Sequence, residues 1–260
     1  GNKNLTRYRM TAEEIVETAL ETAKAGYRTL VLQSGEDLWY SKERFGEIIQ
    51  KIKEKTDLIL TLSVGERPFD HYAYWKECGA DRFLIKHETA DRALYDRYHP
   101  HSNYEQRLCC QQNLYQLGYE LGSGFMVGLP GQTVKTLAED ILHLKELQVS
   151  MAGIGPYICH PGTQLRGSED GSAELTLKAV ALSRIVLKDV YLPSTTALNI
   201  KGGLREALNC GANVIMQKVT PYRYRDLYDI YPGRETKDLD LKSQLDDLKS
   251  VLTQMGRVGL

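Results

Sequence analysis

Acidic side chains follow two short apolar runs in this chain of 260 residues. Leu30-Val31-Leu32 precedes Gln33-Ser34-Gly35-Glu36, and Leu84-Ile85 precedes Lys86-His87-Glu88-Thr89. Short apolar runs of this kind are typical of strands that are buried on both faces. Carboxylates and hydroxyls can bind an amino group or ribose hydroxyls, and glycine lets the backbone approach a ligand. The two segments therefore indicate a binding site at the ends of two strands.

Polar or small residues follow five further apolar runs in the same way. These segments are Ser63-Val64-Gly65-Glu66, residues 126–133, Gly155-Pro156-Tyr157, Ser194-Thr195-Thr196 and Met216-Gln217. Any one of them is compatible with an ordinary turn or a solvated charge. In a parallel α/β barrel, however, the active site lies at the carboxyl ends of the strands. Seven such segments in order favour a site over a coincidence of turns.

The apolar periodicity alternates between strands and helices along the chain. Strands are predicted at 29–32, 58–64, 82–86, 119–127, 152–157, 191–198 and 212–216. Helices are predicted at 11–25, 42–53, 70–78, 91–98, 104–117, 133–147, 175–187, 204–209 and 238–254. This alternation predicts a parallel sheet with right-handed crossovers. Because seven strands leave two open edges, the simplest interpretation is a (β/α)8 barrel, class α/β, without its first strand.

Composition excludes several classes of function. A formal net charge of −1 argues against binding to nucleic acid or to an anionic membrane through bulk electrostatics. No apolar run approaches the roughly 20 residues that span a bilayer, and no signal peptide is predicted at the start. The five cysteines lack CxxC spacing, which predicts reduced thiols in the cytoplasm and no metal site. The residues alone identify no catalytic side chain.

Taken in order, the strand-end segments resemble the radical S-adenosylmethionine (SAM) maturases of iron–iron hydrogenase, the HydE type. Methylornithine synthase is a close relative of that family, and biotin synthase is a more distant one. The matching stretches are 2–11, 31–37, 86–90, 126–133, 153–161, 193–197 and 210–216. The resemblance covers the chain up to about residue 233. It implies a radical-SAM barrel over 1–233, incomplete at its start, and a C-terminal helical extension over 234–260.

The resemblance also implies a role for individual residues. SAM would be bound by Gln33, Ser34, Gly35, Glu36, Ser63, Glu88, Arg107 and Met151. The first four would hold its amino group, Glu88 its ribose hydroxyls and Arg107 its carboxylate. The substrate cavity would be lined by Lys86, Thr195, Thr196, Tyr228 and Tyr231. Lys86 stands where the HydE type has arginine, and lysine keeps the charge but lacks the planar fork of guanidinium.

The implied reaction is cleavage of SAM to a 5′-deoxyadenosyl radical beside a 4Fe-4S cluster. Its implied substrate is an iron–cysteine species that carries CO and cyanide, on the path to the dinuclear iron subcluster of the hydrogenase. A reductant such as ferredoxin or flavodoxin and the other hydrogenase maturases are the implied partners. The different residue at position 86 keeps a methylornithine synthase-like mutase as an alternative.

The family binds its cluster with three cysteines spaced C-x3-C-x2-C, ahead of the stretch that matches Asn2 to Leu5. That spacing does not occur in this chain, and none of its five cysteines can substitute. We therefore expect an N-terminally truncated member of the family that is inactive alone. The other hypothesis is a degenerate paralogue that keeps the barrel as a SAM- or metabolite-binding scaffold. Neither interpretation includes a second cluster.

Overall fold

Seven parallel strands form the centre of the part of the chain that the structure describes. The computed structural model describes residues 6–200, 202–227, 231 and 240–259. The strands are β1 Thr29–Gln33, β2 Ile59–Ser63, β3 Arg82–Leu84, β4 Glu120–Val127, β5 Met151–Pro156, β6 Pro193–Ser194 and β7 Val214–Ile215. β1 to β5 pair in sequence order, and β6 pairs with β7. A single parallel bridge between Met151 and Tyr191 continues the order from β5 to the segment before β6. Among the described residues no pairing joins β7 to β1, so the sheet is an open, partial barrel.

Helices connect the strands and cover the outer face of the sheet. They are α1 Ala12–Lys24, α2 Lys42–Lys55, α3 Phe69–Glu77, α4 Arg92–Tyr98, α5 Tyr104–Gln116, α6 Val134–Glu146, α7 Ala173–Leu187, α8 Thr196–Asn199, α9 Leu204–Asn209, α10 Tyr222–Arg225 and α11 Leu241–Gln254. The capping box expected at the start of α1 is present, because Thr11 accepts from the Glu14 amide and Glu14 accepts from the Thr11 amide. None of the described helices is long and apolar enough to span a membrane.

Two apolar clusters fill the space between sheet and helices. The first packs α1, α2, α3 and α5 against β1 to β4 and includes the fully buried Ile48, Leu60 and Trp75. The second packs α6, α7 and α9 against β4 and β5 and includes Phe125 and Leu144. Each such side chain contributes about 1.5–3 kcal/mol by leaving water. These contacts fix the strands side by side, so their carboxyl ends form one rim.

The sixth strand is much shorter than predicted. A strand was expected over 191–198, but β6 ends at Ser194 and α8 begins at Thr196. The side-chain Nδ2 of Asn199 donates to the Ser194 carbonyl at 3.1 Å, and the Asn199 side-chain oxygen accepts from Ser194 Oγ. These two contacts accompany the turn from β6 into α8. The β-branched residues of this segment gave no indication of such a turn. The helix α10 was not predicted either.

The C-terminal helix packs on the barrel. α11 begins at Leu241 with Asp240 as its cap, three residues later than predicted. Its Leu252 packs against the second apolar cluster, and Arg257 just after it donates to the Leu208 carbonyl at 2.8 Å. The expected boundary between barrel and extension, near residue 233, lies outside the described residues.

Residues from the two ends of the described chain meet beside α1. Glu14 accepts hydrogen bonds from the Tyr224 hydroxyl at 2.8 Å and from Arg223. The rings of Tyr8 and Tyr224 stack with their centroids 4.8 Å apart. The short helix α10 is therefore anchored beside the first helix.

A buried histidine, His87, and a partly buried one, His143, lie together between the sheet and α6. The rings of His87, just after β3, and His143, on α6, are 4.8 Å apart in an edge-to-face arrangement. Burial and the neighbouring His87 lower the pKa of His143 from 6.5 to about 4. The folded protein therefore keeps His143 neutral at pH values where the unfolded chain protonates it.

This difference predicts a loss of stability in mild acid. Above pH 6.5 both states carry a neutral His143, and between pH 6.5 and 4 only the unfolded state gains the proton. The free energy of unfolding should fall across this window by up to about 3 kcal/mol from this group. In His143→Leu that part of the pH dependence should disappear when urea unfolding is followed at pH 7, 5.5 and 4. His101→Gln, at an exposed loop position, is the control and should keep the wild-type slope. Identical slopes for His143→Leu and wild type would contradict the prediction.

Candidate functional site

Arg107, on α5, connects the loops that follow the first three strands. Its Nε lies 2.7 Å from Glu66 Oε1, and its Nη2 lies 3.3 Å from Glu36 Oε1. Its Nη1 donates to the Lys86 carbonyl at 3.2 Å. The side chain is buried, so little solvent competes for these contacts. One guanidinium therefore sets the relative positions of three strand ends.

Glu36, after β1, reaches across to the loop after β2. Its Oε2 accepts a hydrogen bond from the Glu66 amide at 2.9 Å. A Cβ atom at Gly65, where φ is +76°, would lie 2.1 Å from this oxygen. Only glycine therefore permits the approach, both for its conformation and for its size. The Glu36 side chain stays 58% exposed and is available to a ligand at the rim.

Glu88, after β3, has an unusual backbone conformation and an ion-pair partner. Its φ is +63°, in the left-handed region that non-glycine residues seldom adopt. The Glu88 Oε2 atom lies 3.2 Å from Lys86 Nζ. Burial alone raises the pKa of Glu88, but Lys86, His99 and Arg107 together outweigh it and hold the pKa below its usual value. Glu88 is therefore an anion at neutral pH.

Lys86 lies against glycines on the neighbouring strands. A Cβ at Gly124 of β4 would stand 2.9 Å from Lys86 Cε and 2.0 Å from the Gly153 carbonyl oxygen. The absence of side chains at these two positions lets Lys86 lie across them beside Glu88. Sequence reasoning gave Gly124 no role, although the alternation Gly122-Ser123-Gly124 was a signal of close approach.

The structure joins most of the predicted cofactor residues into one cluster. Gln33 pairs in register with Ser63, and the Ser34 amide donates to the Ser63 carbonyl at 3.3 Å. Gly35, with φ of +65°, leads from these residues to Glu36. Glu36 and Glu88 are then connected through Arg107 and Lys86, as described above. The cluster lies at the rim where the strand-end rule placed it.

Other predicted residues lie elsewhere. Met151 is the first residue of β5 and is buried opposite Gly122, at the end of the strand remote from this rim. Thr195 donates to the Ile154 carbonyl at 3.2 Å, and Thr196 begins α8. Tyr231 is partly buried, and Tyr228 lies outside the described residues. The assignments of these residues to SAM or substrate stay predictions.

Sequence reasoning assigned no role to two residues of this rim. Glu66 makes the shorter of the two ion pairs of Arg107 and also accepts a hydrogen bond from Ser102 Oγ at 3.2 Å. Its position just after β2, like that of Glu36 after β1, was the available signal. Arg67 is buried and donates to the carbonyls of Asp37 at 2.6 Å and Glu66 at 3.1 Å. A single arginine after a strand carries no such signal.

The donor set of the rim suits a ligand with an amino-acid group and a ribose. The exposed carboxylate of Glu36 can accept from an ammonium group, and that of Glu88 can accept from two hydroxyls. The guanidinium of Arg107 can bind a carboxylate with two parallel hydrogen bonds. SAM carries all three of these groups.

Comparison with known proteins identifies the class. The model of the Radical SAM superfamily matches residues 2–144, and the chain belongs to this superfamily of enzymes. The chain is 51% identical over 235 residues to the FeFe hydrogenase maturase subunit HydE of Thermotoga maritima, covering 90% of this chain and 67% of that protein. It is thus a radical-SAM enzyme of the HydE type, which confirms the family predicted from its segments.

More distant relatives confirm the fold. The 3-methylornithine synthase of Methanosarcina acetivorans is 26% identical, over 98% of this chain and 72% of its own length. A crystal structure of methylornithine synthase superimposes with a TM-score of 0.84, over 99% of this chain and 76% of that chain, at 24% identity. The structure of the maturase HydG from Carboxydothermus hydrogenoformans superimposes with a TM-score of 0.74. The match covers 98% of this chain and 61% of that chain, at 21% identity. At these identities the structures show a shared barrel, here a partial one.

Radical-SAM enzymes use SAM and a 4Fe-4S cluster, and the rim fits only the first of these. The C-x3-C-x2-C spacing is absent from the 260 residues, and the five cysteines are free. Within the described ranges no three His, Cys, Asp or Glu residues are grouped to hold a metal ion. No step through the cluster is therefore assigned to these residues.

Removal of the Arg107 charge should destabilise the protein strongly. Arg107→Met leaves Glu66 in a poorly solvated site without its cation, which costs about 3 kcal/mol or more. Arg92→Met is the matched control, because Arg92 makes an exposed ion pair with Glu105 worth under about 1 kcal/mol. Urea unfolding at pH 7 compares the two. Equal small losses for both variants would show that Arg107 does not hold the rim together.

Proposed function

We propose that this chain forms the SAM-binding barrel of a HydE-type maturase and acts in assembly of the dinuclear iron subcluster of FeFe hydrogenase. The observation that carries the proposal is that the buried Arg107 joins Glu36, Glu66 and the Lys86 carbonyl at one rim. The HydE relative at 51% identity supports the same function. When SAM is bound and cleaved, it supplies a 5′-deoxyadenosyl radical.

The amino-acid end of SAM would bind at Arg107 and Glu36. Arg107 has one short ion pair, to the largely buried Glu66, and one longer contact, to the exposed Glu36. The longer contact is the one that a ligand carboxylate can replace at Nη2, while Glu66 keeps the guanidinium in place. The Glu36 carboxylate is then free to accept from the ligand ammonium, beside Gln33, Ser34, Gly35 and Ser63.

The nucleoside end would bind at Glu88. An ionised carboxylate is the stronger acceptor for ribose hydroxyls, and the ion pair with Lys86 keeps Glu88 ionised. Because Lys86 lies beside Glu88 and over glycines, its ammonium group faces the space next to the ribose. We assign this cation, with Thr195, Thr196, Tyr228 and Tyr231, to the substrate. Met151 remains a less direct candidate for the adenosyl group because of its place at the start of β5.

The substrate proposed for this cavity is a small iron–cysteine species with CO and cyanide ligands. A lysine ammonium suits the negative charge that cyanide brings to such a species. The reductant would be a ferredoxin or flavodoxin, and the other hydrogenase maturases would receive or supply intermediates. The near-neutral net charge and the lack of a membrane-spanning helix among the described residues agree with a cytoplasmic protein that binds no nucleic acid.

A methylornithine synthase-like activity is the second candidate. The observation in its favour is the TM-score of 0.84 with the methylornithine synthase structure, together with lysine at position 86. The same SAM site would serve both reactions, so only the substrate distinguishes them.

Replacement of Glu88 should weaken SAM binding. Glu88→Gln loses charge-assisted hydrogen bonds to the ribose, which are worth about 1.5–3 kcal/mol, or roughly tenfold to a hundredfold in affinity. Calorimetric titration of the chain with S-adenosylhomocysteine measures the change. Glu120→Gln is the control, since Glu120 pairs with Arg82 at the other end of β4. Unchanged affinity in Glu88→Gln would refute the assignment of Glu88 to the ribose.

A chimera tests the reaction itself. The cluster-binding segment of the Thermotoga maritima relative would be joined ahead of this chain and loaded with iron and sulfide. With dithionite and SAM the chimera should form 5′-deoxyadenosine, and in cells that lack the maturase it should restore hydrogenase activity. Conversion of lysine to methylornithine would instead favour the second candidate. A cluster-loaded chimera that forms no 5′-deoxyadenosine would overturn both.

A further inference from the structure

We propose that Asp140, acting with His87, is a positioning residue that fixes the orientation of Glu88 towards the ribose. The inference rests on the proposed function, because Glu88 is the group assigned to the ribose there. Asp140 itself lies on α6, on the outer side of the sheet, and makes no contact with the rim cluster through its side chain. Its role would be exerted through the backbone on either side of Glu88.

Asp140 contacts the chain on both sides of Glu88. Its Oδ1 accepts from the Ala90 amide at 2.5 Å and lies 3.5 Å from His87 Nε2. Neither Asp140 nor His87 has any solvent exposure. Ala90 follows Glu88 by two residues and His87 precedes it by one. A single buried carboxylate therefore holds the backbone after the ligand-binding residue by a hydrogen bond and lies against the imidazole before it. Among the described residues His87 Nε2 has no hydrogen-bond partner.

His87 is also held from the opposite side. Its Nδ1 lies 2.9 Å from Ser123 Oγ, and its own amide donates to the same oxygen at 3.2 Å. Gln111, on α5, donates to Ser123 Oγ and to the Ile85 carbonyl, both at 2.9 Å. The imidazole thus lies between β4 and α6, with Nδ1 in a hydrogen bond to Ser123 and Nε2 packed against Asp140.

The conformation of Glu88 requires such support. A left-handed φ of +63° in a glutamate costs on the order of 1–3 kcal/mol and persists only where the surroundings impose it. The Glu88 amide donates to the Gly124 carbonyl, and its carbonyl accepts from the Met126 amide, at 3.0 and 3.1 Å. These bonds hold its peptide against β4, while Asp140 holds the following turn through the Ala90 amide and lies against the His87 side chain. Without Asp140, Glu88 can relax to an ordinary φ, and its carboxylate then turns away from the ribose.

Asp140 connects a second strand end to the same point. Its Oδ2 accepts from Gln132 Nε2 at 3.3 Å. Gln132 in turn accepts from the Gly128 amide at 2.7 Å and donates to the Met126 carbonyl at 2.9 Å. The loop after β4 and the loop after β3 are therefore fixed relative to each other through one side chain.

A purely structural role is a poor explanation for a buried carboxylate here. Burying an ionised group costs several kcal/mol unless hydrogen bonds compensate, and an apolar side chain would pack as well. The neighbouring α6 residues Leu137, Ile141 and Leu144 already supply the apolar contacts of this helix. The polar contacts of Asp140 go to the segments that surround Glu88 and to the loop after β4.

The test compares ligands that do and do not depend on Glu88. Asp140→Ala should bind S-adenosylhomocysteine at least tenfold more weakly, while affinity for its 2′,3′-dideoxy analogue should change less than twofold. Asp140→Asn keeps an acceptor for the Ala90 amide and should recover most of the affinity. The double variant Asp140→Ala, Glu88→Gln should bind no more weakly than Glu88→Gln alone. Ile141→Val, on the same helix, removes one methyl group from the second apolar cluster and should leave affinity unchanged.

Three results would overturn the inference. One is an equal loss of affinity for both ligands, and another is an additive loss in the double variant; each would mean that Asp140 supports only the fold. The third is wild-type affinity in Asp140→Ala, or in Gln132→Ala, which removes the Gln132 contact to Asp140, if the alanine variant does not fold. Failure of the wild-type chain to bind S-adenosylhomocysteine at all would instead overturn the proposed function, and the inference would fall with it.

Discussion

The contacts of one buried guanidinium organise the carboxyl-terminal rim of this sheet. The Glu36 and Glu66 carboxylates both lie within 3.3 Å of the same side chain, and two anions placed this close repel each other unless a cation lies between them. Arg107 is that cation, and its third contact, to the Lys86 carbonyl, extends the cluster to the loop after β3. The planar fork of arginine supplies three donors in fixed directions, which lysine cannot do.

The rim also depends on backbone positions that tolerate unusual conformations. Gly65 has to be glycine because the Glu36 carboxylate occupies the place of its side chain. Glu88 adopts a left-handed conformation without being glycine, so its strain is offset by hydrogen bonds around it. A small residue at position 88 would be easier to fold but would carry no carboxylate. The strain is therefore located at the residue that the site needs as an acid.

Much of this arrangement could be predicted from local sequence. Each apolar run predicts a strand, and the rule for parallel sheets places the acids that follow β1 and β3 on the same rim. The pairing of Arg107 with Glu66 could not be predicted, because it joins residues 41 positions apart through the packing of α5. The short β6 depends on the side chain of Asn199, and its effect appears only in three dimensions. Met151 was assigned by resemblance alone, and its position at the start of β5 follows from strand register, which the resemblance did not consider.

Glu88 lies between two polar systems on opposite faces of the sheet. On the inner face Lys86 contacts its carboxylate and Arg107 attracts it, so the ion pairs alone would draw the side chain towards the cations. On the outer face His87 and Asp140 hold the adjoining backbone, with no solvent to weaken their contacts. The outer contacts fix where the chain turns, and the inner contacts keep the acid ionised. Because the two functions are separated by the sheet, the carboxylate can be preorganised for hydroxyl groups before any ligand arrives, which lowers the ordering cost of binding.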